Sequence, residues 1–423
     1  MTRLIKFLLS KEFFFVLFLT SGYFKSSESK IDITFVCLLV TVVLALKDMP
    51  NKMEKVTFRL IVVLAFIYAL ILIGFLYSPS ASYAIDKLIK FTVLTIPAFL
   101  IGIMILQSEE SVKRFLKSII AVGVTMSVFA IYLFMSNNAG IGFIGLGDGN
   151  YLGLGRVTGL TFLILMIWIT FSRMPRIKAL LTIAVALLVF AALSISGARM
   201  PLLAALAVGA LIVLRSVRIK NGVVLVSSGF KYLFSLLIVG VAFVSWLFSK
   251  GYLDTIIYRV SVLFTEKQGG VSAEGRLDRY NEAYEMFVSS PIFGKGLGSF
   301  TIFYNNGVDI NDYPHNIFLE FLSELGLVGL IGFLVLIFLC LTPILKSGFK
   351  GMKLEQSALL ACFLFLLLNA NTTGDINDNR MMFAFLAIIF KVGTIKRKEF
   401  ETVRSVKVPT EQSGGRIKGR QLA

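Results

Sequence analysis

One histidine and a few arginines are the residues of this 423-residue sequence best suited to chemistry. His315 is the only histidine, and it follows Asp312 and Pro314, which favour a helix cap and a first helical turn. Histidine titrates near neutral pH, so His315 is a candidate general base. An interfacial histidine at a helix start fits the same pattern equally well.

The helix that contains His315 is predicted to run through 317–324 and to end near Gly326, just before an apolar segment. On that helix His315 would lie on a different face from Glu320 and Glu324. Either glutamate stays open as the base in place of His315.

Arg276 is predicted to begin an amphipathic helix over 276–289. An arginine at the head of an apolar face costs desolvation unless an anion meets it. Arg276 is therefore a candidate anion ligand, and a snorkelling interfacial arginine is the alternative. The apolar face would hold Arg276, Tyr280, Ala283 and Phe287, and the opposite face Asp278, Glu282 and Glu285.

Arg199 lies in the predicted tight turn 194–201, where Pro201 suits the first turn of the following helix. An arginine beside a helix N-terminus is well placed to bind a phosphate. Arg156 and Arg380 are further arginines on the same predicted side, and interfacial anchoring is sufficient to explain both.

Several other patterns do not indicate a site. The run Gly294–Gly298 has no strand–turn–helix context for nucleotide binding. Two Asp-Ile-Asn-Asp runs, 309–312 and 375–378, favour acidic turn residues in solvated loops over a cation site. The three cysteines lie inside apolar runs and indicate neither disulfides nor a metal site, and no cofactor is expected.

The elements that must position these residues are membrane helices. Hydrophobic residues make up 57% of the chain and charged residues only 16%, a composition that excludes an ordinary soluble domain. We predict an all-α polytopic membrane protein with about twelve transmembrane helices. They are predicted at 5–22, 31–46, 58–76, 88–106, 115–135, 157–171, 178–195, 200–214, 231–249, 325–345, 356–370 and 381–395.

The chain is accordingly divided into four parts: 1–249 with nine spans, a large extracytoplasmic loop 250–324 with short amphipathic helices, 325–395 with three spans, and a basic cytoplasmic tail 396–423. A second long outside loop, 136–156, is rich in glycine. Loops of this size within a compact protein are usually functional.

Charge gives the orientation. With the N-terminus inside, the inside segments carry 29 Lys and Arg against nine Asp and Glu, and the outside segments carry 13 against 16. This excess of cations on one side is the positive-inside pattern of a membrane protein whose termini are cytoplasmic. It also explains the net charge of +17 without nucleic acid.

The large loop resembles the O-antigen ligase and Wzy-type polymerase family. The resemblance rests mainly on three motifs in 276–329: Arg276-x3-Tyr280-x2-Ala283, Pro291-x2-Gly294-x-Gly296-x-Gly298-x-Phe300, and His315-Asn316-x2-Leu319-x4-Glu324-x-Gly326-x2-Gly329. The Ser-Gly-Ala-Arg turn at Arg199 and the run Arg156-Val157-Thr158-Gly159 are similar to further family elements.

The resemblance implies a metal-independent glycosyltransferase that takes a glycan from a polyprenyl-diphosphate carrier at the outer face of the membrane. Arg199 and Arg276 would bind the diphosphate, and His315 would serve the acceptor hydroxyl. The remaining substrate-binding candidates are Arg156, Arg279, Tyr280, Tyr313, Asn316 and Arg380.

The acceptor stays open. A polymerase is slightly favoured; its acceptor would be another lipid-linked repeat unit, and its partners would be membrane lipids and a chain-length regulator. A ligase would instead use the lipid A core or a protein as the acceptor. A lipid-linked oligosaccharide transporter is disfavoured because nearly every charge is predicted at a span end. A purely structural partner would explain neither the arginines nor the histidine.

Overall fold

The computed structural model describes residues 2–24, 32–47, 54–136, 145, 150–220, 223–254, 257–258, 260–261, 271–346, 348 and 352–406. Most of the predicted glycine-rich loop 136–156 and the end of the predicted tail, 407–423, lie outside these residues.

The described chain is built almost entirely of helices. They are α1 Thr2–Leu8, α2 Lys11–Thr20, α3 Ile33–Leu46, α4 Lys55–Leu76, α5 Ser82–Lys90, α6 Ile96–Ile105, α7 Glu109–Ser136, α8 Tyr151–Phe171, α9 Arg176–Ile195, α10 Arg199–Ser216, α11 Phe230–Ser249, α12 Val271–Ser289, α13 Phe300–Tyr304, α14 Ile317–Leu345, α15 Leu354–Ala370 and α16 Arg380–Val406. A small antiparallel hairpin, β1 Val217–Lys220 with β2 Val223–Val226, was not predicted.

Eight of the described helices are long and apolar enough to cross a membrane: α4, the continuous Ser82–Ile105 helix that joins α5 to α6 through a π-helical turn, α7, α8, α9, α10, α11 and α14. The helices α3 and α15 are apolar but shorter. The prediction of an all-α membrane protein is confirmed, whereas the number of twelve spans is not.

The centre of the bundle is α8, which is 89% buried across its apolar window. Small residues let its neighbours approach closely, as is common for helices packed in membranes. A Cβ added at Gly159 of α8 would lie 2.4 Å from the ring of Phe365 in α15. On another face, a Cβ added at Gly155 would lie 2.7 Å from Ala198, just before α10. Close packing against Ala198 fixes the start of α10, where Arg199 lies.

The start of α14 differs from the prediction. Its N-cap is Asn316, whose Oδ1 accepts hydrogen bonds from the amides of Phe318 and Leu319 at 3.0 and 3.2 Å. The helix begins at Ile317, so His315 precedes it and the predicted cap at Asp312 is wrong. The predicted break near Gly326 is confirmed, because this glycine has φ 67° and ψ −167° inside α14.

Candidate active site

The structure gathers five of the predicted site residues around one cleft of about 240 Å³. Its walls come from the first residues of α8 and α10, from α12, from the segment before α14 and from the loop after α15. The lining residues are Tyr151, Leu152, Arg199, Met200, Gly275, Arg276, Arg279, Tyr313, His315, Thr373 and Gly374.

Arg199 enters the cleft as the first residue of α10. The preceding turn is closed by Ser196, whose Oγ accepts a hydrogen bond from the Ala198 amide at 3.2 Å. Gly197 has φ 74°, a left-handed conformation that glycine adopts without strain. The predicted tight turn is confirmed, and it presents a side chain that is only 4% exposed.

Helix α12 supplies Arg276 and Arg279 to the opposite wall. Its apolar face is anchored by Ala283 and Met286, which pack in a small cluster with Phe300 of α13. The predicted amphipathic helix is confirmed and starts earlier, at Val271. This packing fixes the rotation of α12 about its axis, and with it the position of the two guanidiniums that line the cleft.

Arg279 also braces the segment that carries the histidine. Its Nε and Nη2 donate hydrogen bonds to the two carboxylate oxygens of Asp312, each at 3.0 Å. Its Nη1 donates to the Gly275 carbonyl at 2.9 Å, and its guanidinium stacks on the Tyr304 ring with 4.6 Å to the centroid. Burial lowers the pKa of Arg279, but the bonds with Asp312 outweigh burial and raise that pKa overall.

His315 has a left-handed backbone, with φ 57°. Its ring contacts Tyr313 with 4.4 Å between centroids. Burial and then the nearby cations Arg279 and Arg276 lower the pKa of His315 to about 4. The imidazole is therefore neutral at neutral pH and has a nitrogen able to accept a proton. Its buried Nδ1 has no hydrogen-bond partner within the described part of the chain.

Arg156 and Arg380 do not line the cleft. Arg156 is buried, and its Nη2 donates to the carbonyl and the hydroxyl of Thr373, both at 2.9 Å, so it supports the cleft wall from behind. Arg380 lies over the Phe18 ring at 5.5 Å from the centroid. Both placements are structural contacts between the loop after α15 and the rest of the bundle.

Tyr280 and Asn316 also lie outside the cleft lining. The Tyr280 hydroxyl donates a hydrogen bond to the Asn371 carbonyl at 3.2 Å, which ties α12 to the loop after α15. Asn316 caps α14 through its Oδ1. Four of the nine predicted site residues therefore do not line the cleft.

Sequence reasoning missed a buried ion cluster beside this cleft. Lys87 of α5 contacts Glu320 and Glu324 of α14, and the three side chains are at most 1% exposed. The Gly298 amide also donates to Glu324 Oε2 at 2.8 Å, and the Ile376 amide donates to Glu320 Oε1 at 3.2 Å. Neither glutamate lines the cleft, so their placement does not favour a role as the base.

The cluster lies near span ends, because Lys87 is the sixth residue of the Ser82–Ile105 helix and Glu320 and Glu324 are the fourth and eighth residues of α14. Two acidic residues four apart at the head of an apolar helix are the signal that could have indicated it. Lys87 and the two carboxylates are gathered at one end of the bundle, unlike charges spaced along a transport path.

Asp375 organises the loop that forms the far wall of the cleft. Its Oδ1 accepts hydrogen bonds from the amides of Asn377 and Asp378 at 2.9 and 2.8 Å, and its Oδ2 accepts one from the Tyr83 hydroxyl at 2.9 Å. The other Asp-Ile-Asn-Asp run is similar, since Asp309 Oδ2 accepts bonds from the amides of Ala81 and Ser82. Both aspartates are turn residues, as predicted, although Asp375 is buried rather than solvated.

The cleft is suited to a phosphorylated ligand. Among the described residues three guanidiniums and no carboxylate line it, and the Asp312 carboxylate beside it is paired with Arg279. Guanidinium groups bind phosphate oxygens in a bidentate manner and keep their charge at any accessible pH. Within the described residues no group of three or more His, Cys, Asp or Glu side chains is arranged to hold a metal ion.

Fold and site together define a polytopic helical membrane protein with an arginine-rich cleft at one end of its bundle. A family model described as O-antigen ligase matches residues 184–334 and confirms the resemblance to the O-antigen ligase and Wzy-type polymerase family. The matched segment contains Arg199, Arg276 and His315. A search of the curated proteins finds no match.

Proposed function

We propose that this protein transfers an oligosaccharide from a polyprenyl-diphosphate carrier to a glycan hydroxyl at the outer face of the bacterial inner membrane. The observation that carries the proposal is the convergence of Arg199, Arg276 and His315 on one cleft from three separate parts of the chain. A diphosphate leaving group requires fixed positive charge, and an acceptor hydroxyl requires a base.

The reaction would exchange one bond for another at the anomeric carbon. The acceptor oxygen attacks this carbon as its bond to the diphosphate oxygen breaks. Arg199 and Arg276 would stabilise the negative charge that grows on the departing diphosphate, without need of a metal ion. Neutral His315 would take the proton of the acceptor hydroxyl.

Aromatic rings in the cleft suit the sugar. Tyr151 and Tyr313 line it from different elements, and a tyrosine ring can stack on the apolar face of a pyranose while its hydroxyl bonds to the sugar. Arg279 would act indirectly: it would fix the segment 312–315 that carries His315 and add positive potential to the cleft.

For the acceptor, our first candidate is another lipid-linked repeat unit, so that the protein polymerises a surface polysaccharide and works with a chain-length regulator. The second candidate is a ligase that joins the glycan to the lipid A core or to a protein, and the description of the matching family model favours it. Both candidates use the same carrier and the same cleft.

The proposal includes twelve crossings with cytoplasmic termini. In support, the predicted outside segments meet at one end of the bundle, where Tyr77 after α4 donates to the Phe293 carbonyl at 2.6 Å. Predicted inside segments meet at the other end, where Arg215 at the end of α10 donates to Ser357 Oγ at 2.8 Å. The cleft belongs to the predicted outside end.

The test replaces the cleft arginines. Arg276→Ala and Arg199→Ala should each abolish long glycan chains while membrane insertion stays intact, and loss of a preorganised donor typically lowers turnover about 100- to 1,000-fold. Lys295→Ala is the matched control, since this loop cation lies over the Phe303 ring and does not line the cleft. Normal chain lengths in both arginine variants would reject the proposal.

The two acceptors are separated by deleting the protein in its host. Single repeat units on the lipid core would indicate that a polymerase has been lost. Glycan retained on the carrier lipid, with a bare core, would indicate that a ligase has been lost.

A further inference from the structure

An apolar surface lies at the end of α12, apart from the cleft. It consists of Tyr284 and Val288 of this helix and of Ile292 and Phe293 in the turn that follows, and each side chain is between 56 and 58% exposed. These four side chains are called the exposed patch below. None of them lines the cleft. Large apolar side chains that are exposed in succession mark a contact with a partner or with a membrane.

The residues of α12 are sorted onto three sides of the helix. Ala283 and Met286 are buried against the protein. Tyr284 and Val288 lie one turn apart on a second side, which is exposed and apolar. The exposed, charged Glu285 lies roughly a quarter turn further around the helix, on a third side. Separate apolar and polar sides, both exposed, are the pattern of a helix that lies where an apolar phase meets water.

The turn after α12 is bonded to two helices that are long and apolar enough to cross a membrane, α4 and α14. The Pro291 carbonyl accepts a hydrogen bond from the Leu327 amide of α14 at 2.8 Å. The Phe293 carbonyl accepts one from the hydroxyl of Tyr77, the residue after α4, at 2.6 Å. Leu327 and Leu76 of these helices are themselves exposed, as expected of side chains that face lipid. The exposed patch therefore continues the lipid-facing surface of both helices.

We propose that the exposed patch inserts into the bilayer leaflet at the cleft end of the bundle, with Phe293 deepest among the acyl chains and Tyr284 at the level of the headgroups. Tyrosine is enriched at that level of a membrane. Because the neighbouring polar side of α12 carries Glu285, the contact depends on apolar area and needs no anionic headgroup. Insertion would fix the height of Arg276 and Arg279, on the same helix, above the membrane, whichever ligand the cleft binds.

The experiment attaches a nitroxide spin label to single introduced cysteines in the full-length protein, reconstituted in phosphatidylcholine vesicles. The three cysteines of the chain are buried, so the label reacts with the introduced thiol. Collisions of the label with oxygen, which dissolves in the acyl region, are compared with collisions with a polar nickel chelate. Labels at Val288→Cys and Phe293→Cys should collide with the chelate about tenfold less often than a label in water, because apolar surroundings exclude polar solutes.

Val308→Cys is the matched control, because Val308 is 56% exposed, as Phe293 is, and lies in the same predicted outside loop but not in the patch. Its label should collide freely with the nickel chelate. Between the two patch positions, the label at Phe293→Cys should show the higher ratio of oxygen to chelate collisions, because this position is proposed to lie deeper. All three variants should keep the wild-type circular dichroism, and two patch positions keep the test decisive if one replacement disturbs the fold.

Chelate collisions as frequent at the patch as at Val308→Cys would overturn the proposal, because the patch would then face water. Labels shielded from both reagents would also overturn it, and dipolar broadening between labels would then assign the patch to a contact between two copies of the chain. Exclusion of the chelate from Val308→Cys as well would overturn the assignment to the patch, since the whole loop would then be immersed.

Discussion

Lys87 and Glu324 form a buried ion pair in which the ammonium nitrogen lies 2.8 Å from both carboxylate oxygens. The pair joins α5 to α14, and the Gly298 amide bonds to the same carboxylate. Three parts of the chain that are far apart in sequence therefore meet at one point beside the cleft. Each of the two charges would carry a large desolvation cost inside the protein without the other, so the pair depends on α5 and α14 staying in place.

Removal of the Lys87 ammonium should be strongly destabilising. In Lys87→Ala, Glu320 and Glu324 would remain buried without a cation, and breaking a buried pair in this way costs about 3–5 kcal/mol. The measurement is thermal unfolding of the purified protein in detergent. Lys90→Ala removes a neighbouring, half-exposed cation that pairs with Asp86, and it should change stability little.

The triple variant Lys87→Met/Glu320→Gln/Glu324→Gln removes all the buried charges together and should be more stable than Lys87→Ala. If Lys87→Ala unfolds at the wild-type temperature, the buried pair contributes nothing to the fold.

The activity should persist to unusually low pH. With the pKa of His315 at about 4, about nine-tenths of the free enzyme keeps a neutral imidazole at pH 5, against a few per cent for an ordinary histidine. The acid limb of kcat/KM reports the free enzyme and should fall near pH 4. His315→Ala should lose the activity, and wild-type turnover in that variant would remove the proposed base.

The lowered pKa of His315 should also make the folded protein less stable in acid. Because His315 binds a proton less readily when folded, protonation of the unfolded chain lowers the free energy of unfolding as pH falls from 6.5 toward 4.

In Arg279→Met one of the cations that lower the pKa of His315 is lost, so the acid limb of kcat/KM should move to higher pH. An acid limb at the same pH in Arg279→Met would show that this cation does not act on His315.

Arg279 and Asp312 should behave as one unit in a double-mutant cycle. Each single replacement by alanine breaks the same two hydrogen bonds and releases the segment that carries His315. The coupling free energy for kcat/KM should be roughly 1–2 kcal/mol, since hydrogen bonds between charged groups are among the stronger ones. Strictly additive effects would mean that the pair does not position the histidine.

Orientation is tested by labelling an introduced cysteine with a membrane-impermeant reagent. Asn305 in the predicted outside loop is half-buried and donates to the Thr301 carbonyl, whereas Val308 is 56% exposed, so Val308→Cys is the better position for the label. Val308→Cys should be labelled in intact cells. Val224→Cys in the hairpin, with Val224 at 60% exposed, should be labelled only after permeabilisation. The reverse pattern would invert the proposed topology.

Much of the cleft could be predicted from sequence because outward cations are scarce in a chain with a positive-inside pattern. Arg199 was predicted from its place at a helix start, which the structure bears out, whereas the helix of Arg276 starts earlier than predicted, at Val271. His315 stood out because it is the only histidine. The eight long apolar helices followed from length and hydropathy, which are properties of short segments.

What the sequence could not indicate depends on contacts distant in the chain. Asp312 is a good helix cap by residue type, but Arg279, 33 residues earlier, takes both its oxygens, and Asn316 caps α14 instead. Lys87 and Glu324 are 237 residues apart, and nothing local to either residue identifies its partner. Pairings of this kind are decided by packing after the helices have formed.

Gly326 should be intolerant of any side chain. Its φ of 67° is strained for alanine, and an added Cβ would also lie 2.2 Å from the carbonyl oxygen of Ile292. Gly307 is the matched control, since its φ of 91° is also positive and nothing lies within 4 Å of its added Cβ. Gly307→Ala should cost about 1–2 kcal/mol of unfolding free energy for backbone strain alone. Gly326→Ala should cost clearly more, because the backbone of residues 291–294 must also move away from α14. The difference between the two unfolding free energies measures the contact between that turn and the helix, and equal losses would show that backbone strain alone accounts for both variants.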